Sequence, residues 1–350
     1  MNKPAGFSNI FNHKETIEMD VYHGGNIWVK NKNETRLAAL TVNQAFLWDK
    51  QDIFIPAVYV GKAGAVLDVC AKIPTEDMKV FLKKWDKDRR QSLKLPEEYE
   101  QIEADNPSCR EFTVAMSLDD TTLIHSMSSS IRWYPKEILL MENTNPDSEE
   151  EWKNEKQADE WMDAYGCDRN CCWYFERLSY NWKDNPILSP KKLSLAFQAD
   201  FISITAGHFS TDGACDGKSI KTAHPVTGQE YTLTLHDCEQ TWHSFAEIGA
   251  KGVSYPEYCQ ILSYDITPEI DRNLFDIRDC NQGDQPRIGN TQVESGASAI
   301  FLAGKSATPD KRMAASSLHF KPVSNVQWRI VFQIKPKNDL EISFPIHTIS

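Results

Sequence analysis

No run of apolar residues in this chain approaches the length that spans a bilayer, so a membrane-crossing helix is not expected. The opening Met1 to Gly6 leads into no apolar segment of the kind that directs export. A cytoplasmic, reducing setting is therefore expected, and the nine cysteines are read as free thiols rather than a disulfide framework. Basic charge is scarce: 38 Lys and Arg stand against 50 Asp and Glu, a net charge of −12. Such a field repels phosphate backbones and anionic lipid, so neither nucleic acid nor a membrane surface is an expected partner. The one dense basic run, Lys83-Lys84 with Lys87 to Arg90, falls on an expected helix. Motifs of chemistry are missing too. Gly-x-Ser-x-Gly, the Walker loop, the dinucleotide fingerprint and His-Glu-x-x-His do not occur. No residue-level repeat links the two halves, and no low-complexity tract interrupts them.

Alternation is what the chain does have. Val326, Trp328, Ile330, Phe332 and Ile334 alternate with largely polar neighbours, and so do Leu340, Ile342 and Phe344. A period of two places one set of side chains on one face of a strand. The polar stretch Lys335 to Asp339 between them predicts a hairpin in which Ile334 faces Leu340. Ile53 to Val60 and Ala65 to Ile73 are near-continuous apolar runs, which predicts a hairpin buried on both faces. Further strand-like runs recur at short intervals, punctuated by Gly, Pro, Asn and Asp, from Phe7 to Phe11 through Ala297 to Leu302. This spacing argues for sandwiches rather than alternating βαβ units. The ten tryptophans suit large β cores or stacking platforms.

Two amphipathic helices are expected among the strands. In 75–90 the spacing of Met78, Phe81, Leu82 and Trp85 makes one apolar stripe, with Thr75 as its cap. In 148–165 Ser148 and Glu151 form a capping box, Ala158, Trp161, Met162 and Tyr165 make the stripe, and Gly166 ends it. The acidic stretch 91–108 reads as a surface excursion. The expected fold is mainly β: two antiparallel β-sandwich, jelly-roll-like domains with two short amphipathic helices. Residues 1–146 would form the first, 147–166 a linking helix and 167–350 the second.

Three places invite chemistry. Cys167, Cys171 and Cys172 supply half of a structural zinc site, but no second pair of that spacing follows, and small apolar cysteines are the simpler reading. Asp279, Asn281 and Asp284 match in part the alternate oxygen ligands of a calcium loop. Gly283 precedes Asp284 in the reverse of the required order and no Glu closes the loop, which favours a turn with Asx-type hydrogen bonds. No cofactor is therefore expected. His224 and His236 flank an expected hairpin turn at Pro225 to Gln229. Pairing His224 with Glu230 sets them on the order of 20 Å apart, too far to share a metal. Asp237, on the apolar parity of Leu233 and Leu235, marks an expected strand end. If a ligand site exists, the loops 207–217 and 279–287 are its expected place, with His208, Asp212, Asp279, Asp284 and Arg287 as ligand-binding residues.

These features leave the function unknown and no catalytic residue located. They lean to an intracellular carbohydrate-binding or carbohydrate-processing sandwich, because aromatic faces stack on sugar rings. The alternatives are a non-catalytic assembly protein, a scaffold or homo-oligomer subunit, and a metal-dependent hydrolase.

Overall fold

A computed structural model of the chain describes residues 19–24, 27, 35–86, 89–90, 92–93, 95–108, 112–142, 149–213, 215–242, 244, 252–289, 291–292 and 312–346. The strands expected at Phe7 to Phe11 and Ala297 to Leu302, and the cap at Ser148, lie outside them. The fold is mainly β, in antiparallel sheets, as the alternation requires. Two compact units do not follow chain order. The described residues of the first fall in Met1–Ser92, Asp105–Asp200 and Lys335–Ser350, and those of the second in Leu93–Ala104 and Phe201–Ile334.

In the first unit a five-stranded sheet runs β1 (Ala38–Trp48), β2 (Gln51–Val60), β3 (Gly64–Ile73), β7 (Cys172–Asn181), β6 (Ile124–Trp133). A four-stranded sheet runs β18 (Leu340–Pro345), β8 (Lys192–Ala199), β4 (Phe112–Leu118), β5 (Thr121–Thr122). Leu67, Val69 and Leu178 of the first sheet share one apolar core with Met116, Leu195 and Phe197 of the second, which makes a sandwich. β2 and β3 are buried on both faces along nearly their whole length, as their unbroken apolar runs predict. Strand pairing passes across the stretch expected to divide two domains: β7 pairs with β3 and β8 with β4.

A helix covers the other face of the five-stranded sheet. α4 (Glu149–Tyr165) lays Ala158, Trp161, Met162 and Tyr165 against Phe54, Cys70, Trp173 and Phe175. Gly166 follows with φ of 62°, and the Cys167 amide closes onto the Met162 carbonyl at 3.0 Å, a Schellman-type cap. α1 (Thr75–Lys84) buries Met78, Phe81 and Leu82, and Trp85 beyond its end is buried too. Thr75 does not cap it; its hydroxyl donates to the Asn170 carbonyl at 2.7 Å. Two helices are not legible in the sequence, α2 (Pro96–Asp105) and α3 (Lys136–Glu142).

One polar pair lies inside this apolar face. Asp68 on β3 stands directly opposite Arg177 on β7, and both are buried. Arg177 donates from Nε to Asp68 Oδ1 at 2.8 Å and from Nη2 to Oδ2 at 2.6 Å. Tyr165 of α4 also donates to Asp68, and its hydroxyl lies 2.8 Å from that of Tyr59. The Arg177 guanidinium stacks 4.8 Å from the Trp161 ring. Burial, with the Asp68 carboxylate next in effect, raises both phenols well above their ordinary range, so they stay protonated donors.

The second unit repeats the sandwich plan on a smaller scale. One sheet runs β10 (Ser219–Ala223), β11 (Glu230–Trp242), β12 (Tyr258–Thr267), β16 (Arg312–Ala315), and the other β13 (Phe275–Asp279), β17 (Val326–Ile334), β9 (Ile202–Thr211). Leu233, Leu235, Leu262 and Ile266 meet Phe275, Trp328, Ile330 and Phe332 between them. A short ribbon joins β14 (Arg287–Ile288) and β15 (Thr291–Gln292).

Several sequence expectations need correction. β17 and β18 are strands with the faces expected, but they do not form a hairpin. β17 lies between β13 and β9 in the second unit, and β18 pairs with β8 in the first. Alternation fixes a strand and its face; it carries no information about the partner. The connecting residues are held within the first unit instead. Asp339 accepts from the Ala199 amide at 3.2 Å, Trp48 donates to the Asn338 carbonyl at 2.8 Å, and the Lys337 ammonium sits 3.4 Å from the Trp48 ring centre. The β10–β11 hairpin forms one residue out of the expected register, with Ala223 opposite Glu230, because His224 closes onto Gln229. Asp237 does not end a strand. A bulge between Leu235 and Cys238 resets the parity, turns Asp237 outward and lets β11 run on to Trp242. The acidic excursion 91–108 is largely α2.

Asp68→Leu should cost about 3–5 kcal/mol, because it strands a buried guanidinium. The double variant Asp68→Leu/Arg177→Met should recover most of that loss. Urea unfolding midpoints check this, and a double variant no more stable than the single one contradicts it.

Candidate functional site

The two loops singled out by sequence both belong to the second unit, but their side chains take opposite faces. His208, Arg329 and Arg278 stand directly opposite one another across β9, β17 and β13, so they share the outer face of that sheet. There His208 Nε2 lies 2.8 Å from Glu97 Oε2 on α2. Asp212 follows β9, is exposed, and reaches Lys218 at 3.7 Å. Asp279 stands opposite the buried Trp328 and so points the other way, toward the interior side. The structure does not bring His208 and Asp279 to one ligand.

The 279–287 loop is stapled to the segment that follows β16. Asp279 Oδ1 accepts from the Asn281 amide at 2.9 Å, the expected Asx turn, and Oδ2 accepts from the Ser317 amide at 2.9 Å. Asp284 Oδ2 accepts from the Phe320 amide at 2.8 Å and lies 3.7 Å from His319 Nδ1. Arg287 exchanges both backbone hydrogen bonds with Ser254 and stacks its guanidinium 4.5 Å from the Phe320 ring.

That staple places the loop beside a row that sequence patterning does not reveal. Trp242 stands opposite Tyr258 in the β11–β12 ladder, and Tyr258 bridges to His319. Directly opposed residues share a face, so two aromatic rings and an imidazole form a row across three segments. Tyr258 has the parity of Gln260 and Leu262, which face the sandwich interior, so the row continues that face beyond the core. Trp242 is 55% exposed, yet its indole Nε1 is tied to Glu257 Oε2 at 2.8 Å. The bulge at Leu235/Cys238 is what gives Trp242 this parity, and a bulge has no reliable signature in one sequence.

Cys167, Cys171 and Cys172 have three separate surroundings. Cys167 lies against Cys70 beneath α4, Cys171 is 3.6 Å from the Asp168 carboxylate, and Cys172 is fully buried at the start of β7. Among the described residues no group of three or more His, Cys, Asp or Glu is arranged to hold a metal ion. Burial pushes the Cys172 thiol up to about 12; burial first, then Glu97 and Asp279, push Cys280 up to about 11. Thiolate, not thiol, is the nucleophile, so neither group is activated at neutral pH.

Because these thiols ionise late, Cys172 and Cys280 should alkylate slowly with iodoacetamide at pH 7, and the rate should climb steadily through pH 9. Peptide-resolved mass spectrometry reads this site by site. A rate for Cys280 already flat between pH 7 and 9 would show an activated thiolate. Compared with family models, with curated proteins and with solved structures, the chain matches none of them.

Proposed function

We propose that the second unit binds carbohydrate at the end of its sandwich, with Trp242 as the stacking platform. One observation carries this: a tryptophan more than half exposed and nonetheless pinned by its indole N–H to Glu257. Its open ring face is free to receive an apolar surface, and tryptophan carries a large contact area for one side chain. Fixing its plane in advance lowers the entropy lost when a flat apolar face settles on it. Sugar rings present such faces, and their hydroxyls need donors and acceptors at the rim. Glu257, His319 and Arg287 offer a carboxylate, an imidazole and a guanidinium along the same stretch. Asp284 orients this rim through His319 and the Phe320 amide rather than offering itself to a ligand.

The same exposed tryptophan suits a protein contact, since Trp is favoured at interface centres. That is the second reading, an assembly or interaction role. Metal-dependent hydrolysis has no comparable support among the described residues. A cytoplasmic setting belongs to the proposal as well; the eight described cysteines are all free, which suits a reducing compartment. No described helix is long and apolar enough to cross a membrane.

Titrating a panel of mono- and oligosaccharides should quench or shift tryptophan emission with at least one ligand. Trp242→Ala should abolish that response and Trp242→Phe should keep part of it. A flat response over the whole panel, with Trp242→Ala changing the molar mass seen by light scattering, would transfer the site to the assembly reading.

A further inference from the structure

The outer face of the β13–β17–β9 sheet carries charge beneath a helix, where an apolar face is the usual support. Arg278 and Arg329 stand side by side on it, with Ser203, Thr205 and Gln333 in the neighbouring rows. α2 lies over this face but buries none of its residues. Charge ties it to the sheet. Glu100 takes both terminal nitrogens of Arg329, one of them through Oε1 at 2.9 Å, and the same Oε1 accepts from Arg278 Nη1 at 2.9 Å. Glu97 adds the contact to His208.

We propose that Arg278 and Arg329 form a phosphate-binding site that the Glu100 carboxylate occupies in cis, with α2 as a detachable strap. Three features support a ligand rather than a purely structural pair. Arg329 is 2% exposed, and its Nε has no hydrogen-bond partner among the described residues, so the site holds a donor that a carboxylate leaves unused. Hydroxyl groups stand beside both guanidiniums: Ser203 Oγ accepts from Arg278 Nη1 at 3.2 Å, and Thr205 Oγ1 from Arg329 Nη1 at 3.5 Å. A phosphate group brings more acceptor oxygens and more charge than a carboxylate, and two guanidiniums match it well. Asp276, which accepts from Arg278 Nε at 2.8 Å, leaves Nη1 directed at the site. An apolar helix face would hold such a strap permanently; this one lets go when a better anion competes. This site does not depend on Trp242, which belongs to the other sheet of the sandwich.

The test uses the full chain with inorganic phosphate and O-phosphoserine as separate probes, in calorimetric titrations at constant ionic strength. Glu100→Gln should bind at least one of them tenfold or more tighter than the unmodified chain, and Arg329→Met in that background should remove the gain. In the unmodified chain, amide exchange over 96–105 should quicken in phosphate relative to chloride, a readout that needs no variant should Glu100→Gln fail to fold. Binding by Glu100→Gln no tighter than in the unmodified chain overturns the proposal. So does exchange over 96–105 that is the same in both salts.

Discussion

A β-sheet has two faces, and a sandwich covers only one of them. Both units face that constraint at the sheet whose second side is left to a helix, and they meet it in opposite ways. In the first unit the second face is apolar. α4 sets Trp161, Met162 and Tyr165 on it, and burying side chains of that size is worth roughly 1.5–3 kcal/mol each. In the second unit the face is charged, and α2 is held through Glu97 and Glu100 with no buried residue of its own. The Glu100–Arg329 pair is largely buried, where the cost of desolvating both charges offsets much of their attraction, and the half-exposed Glu97–His208 contact adds little. One covering is therefore part of the core, and the other is an addition whose hold depends on solvent and competing ions.

The first covering carries its own polar insertion. Asp68 and Arg177 satisfy each other, and Tyr165 and Tyr59 extend the network, so a carboxylate and a guanidinium sit within a largely apolar face. Such a pair adds little net stability against a well-packed apolar alternative, but it allows only one register between β3 and β7. A slip of either strand by one residue would drive its own charge into the core between the sheets and strand the other.

How much of this the sequence disclosed follows from what periodicity encodes. The alternating face of β17 is legible residue by residue, and so are the two-sided burial of β2 and β3 and the stripe of α4 with its closing Gly166. Partners are not. β17 and β18 are close in sequence and alternate in phase, yet each pairs with a different sheet. α2 was missed because its glutamates signal solvent when read alone; their partners Arg278, Arg329 and His208 lie more than a hundred residues away. Asp68 left a trace that could have been followed, a lone carboxylate inside a run buried on both faces. Trp242 left none, since its exposure hangs on a bulge several residues earlier in the strand.

The order in which strands leave the ribosome differs from the order in which they pair. β8 lies between β4 and β18, so its outer edge and the patch that receives Phe344 stay uncovered until the whole second unit has been made. During that interval the nascent chain presents an open strand edge of the sort that recruits other chains. Completion of the first unit is thus a late, long-range event.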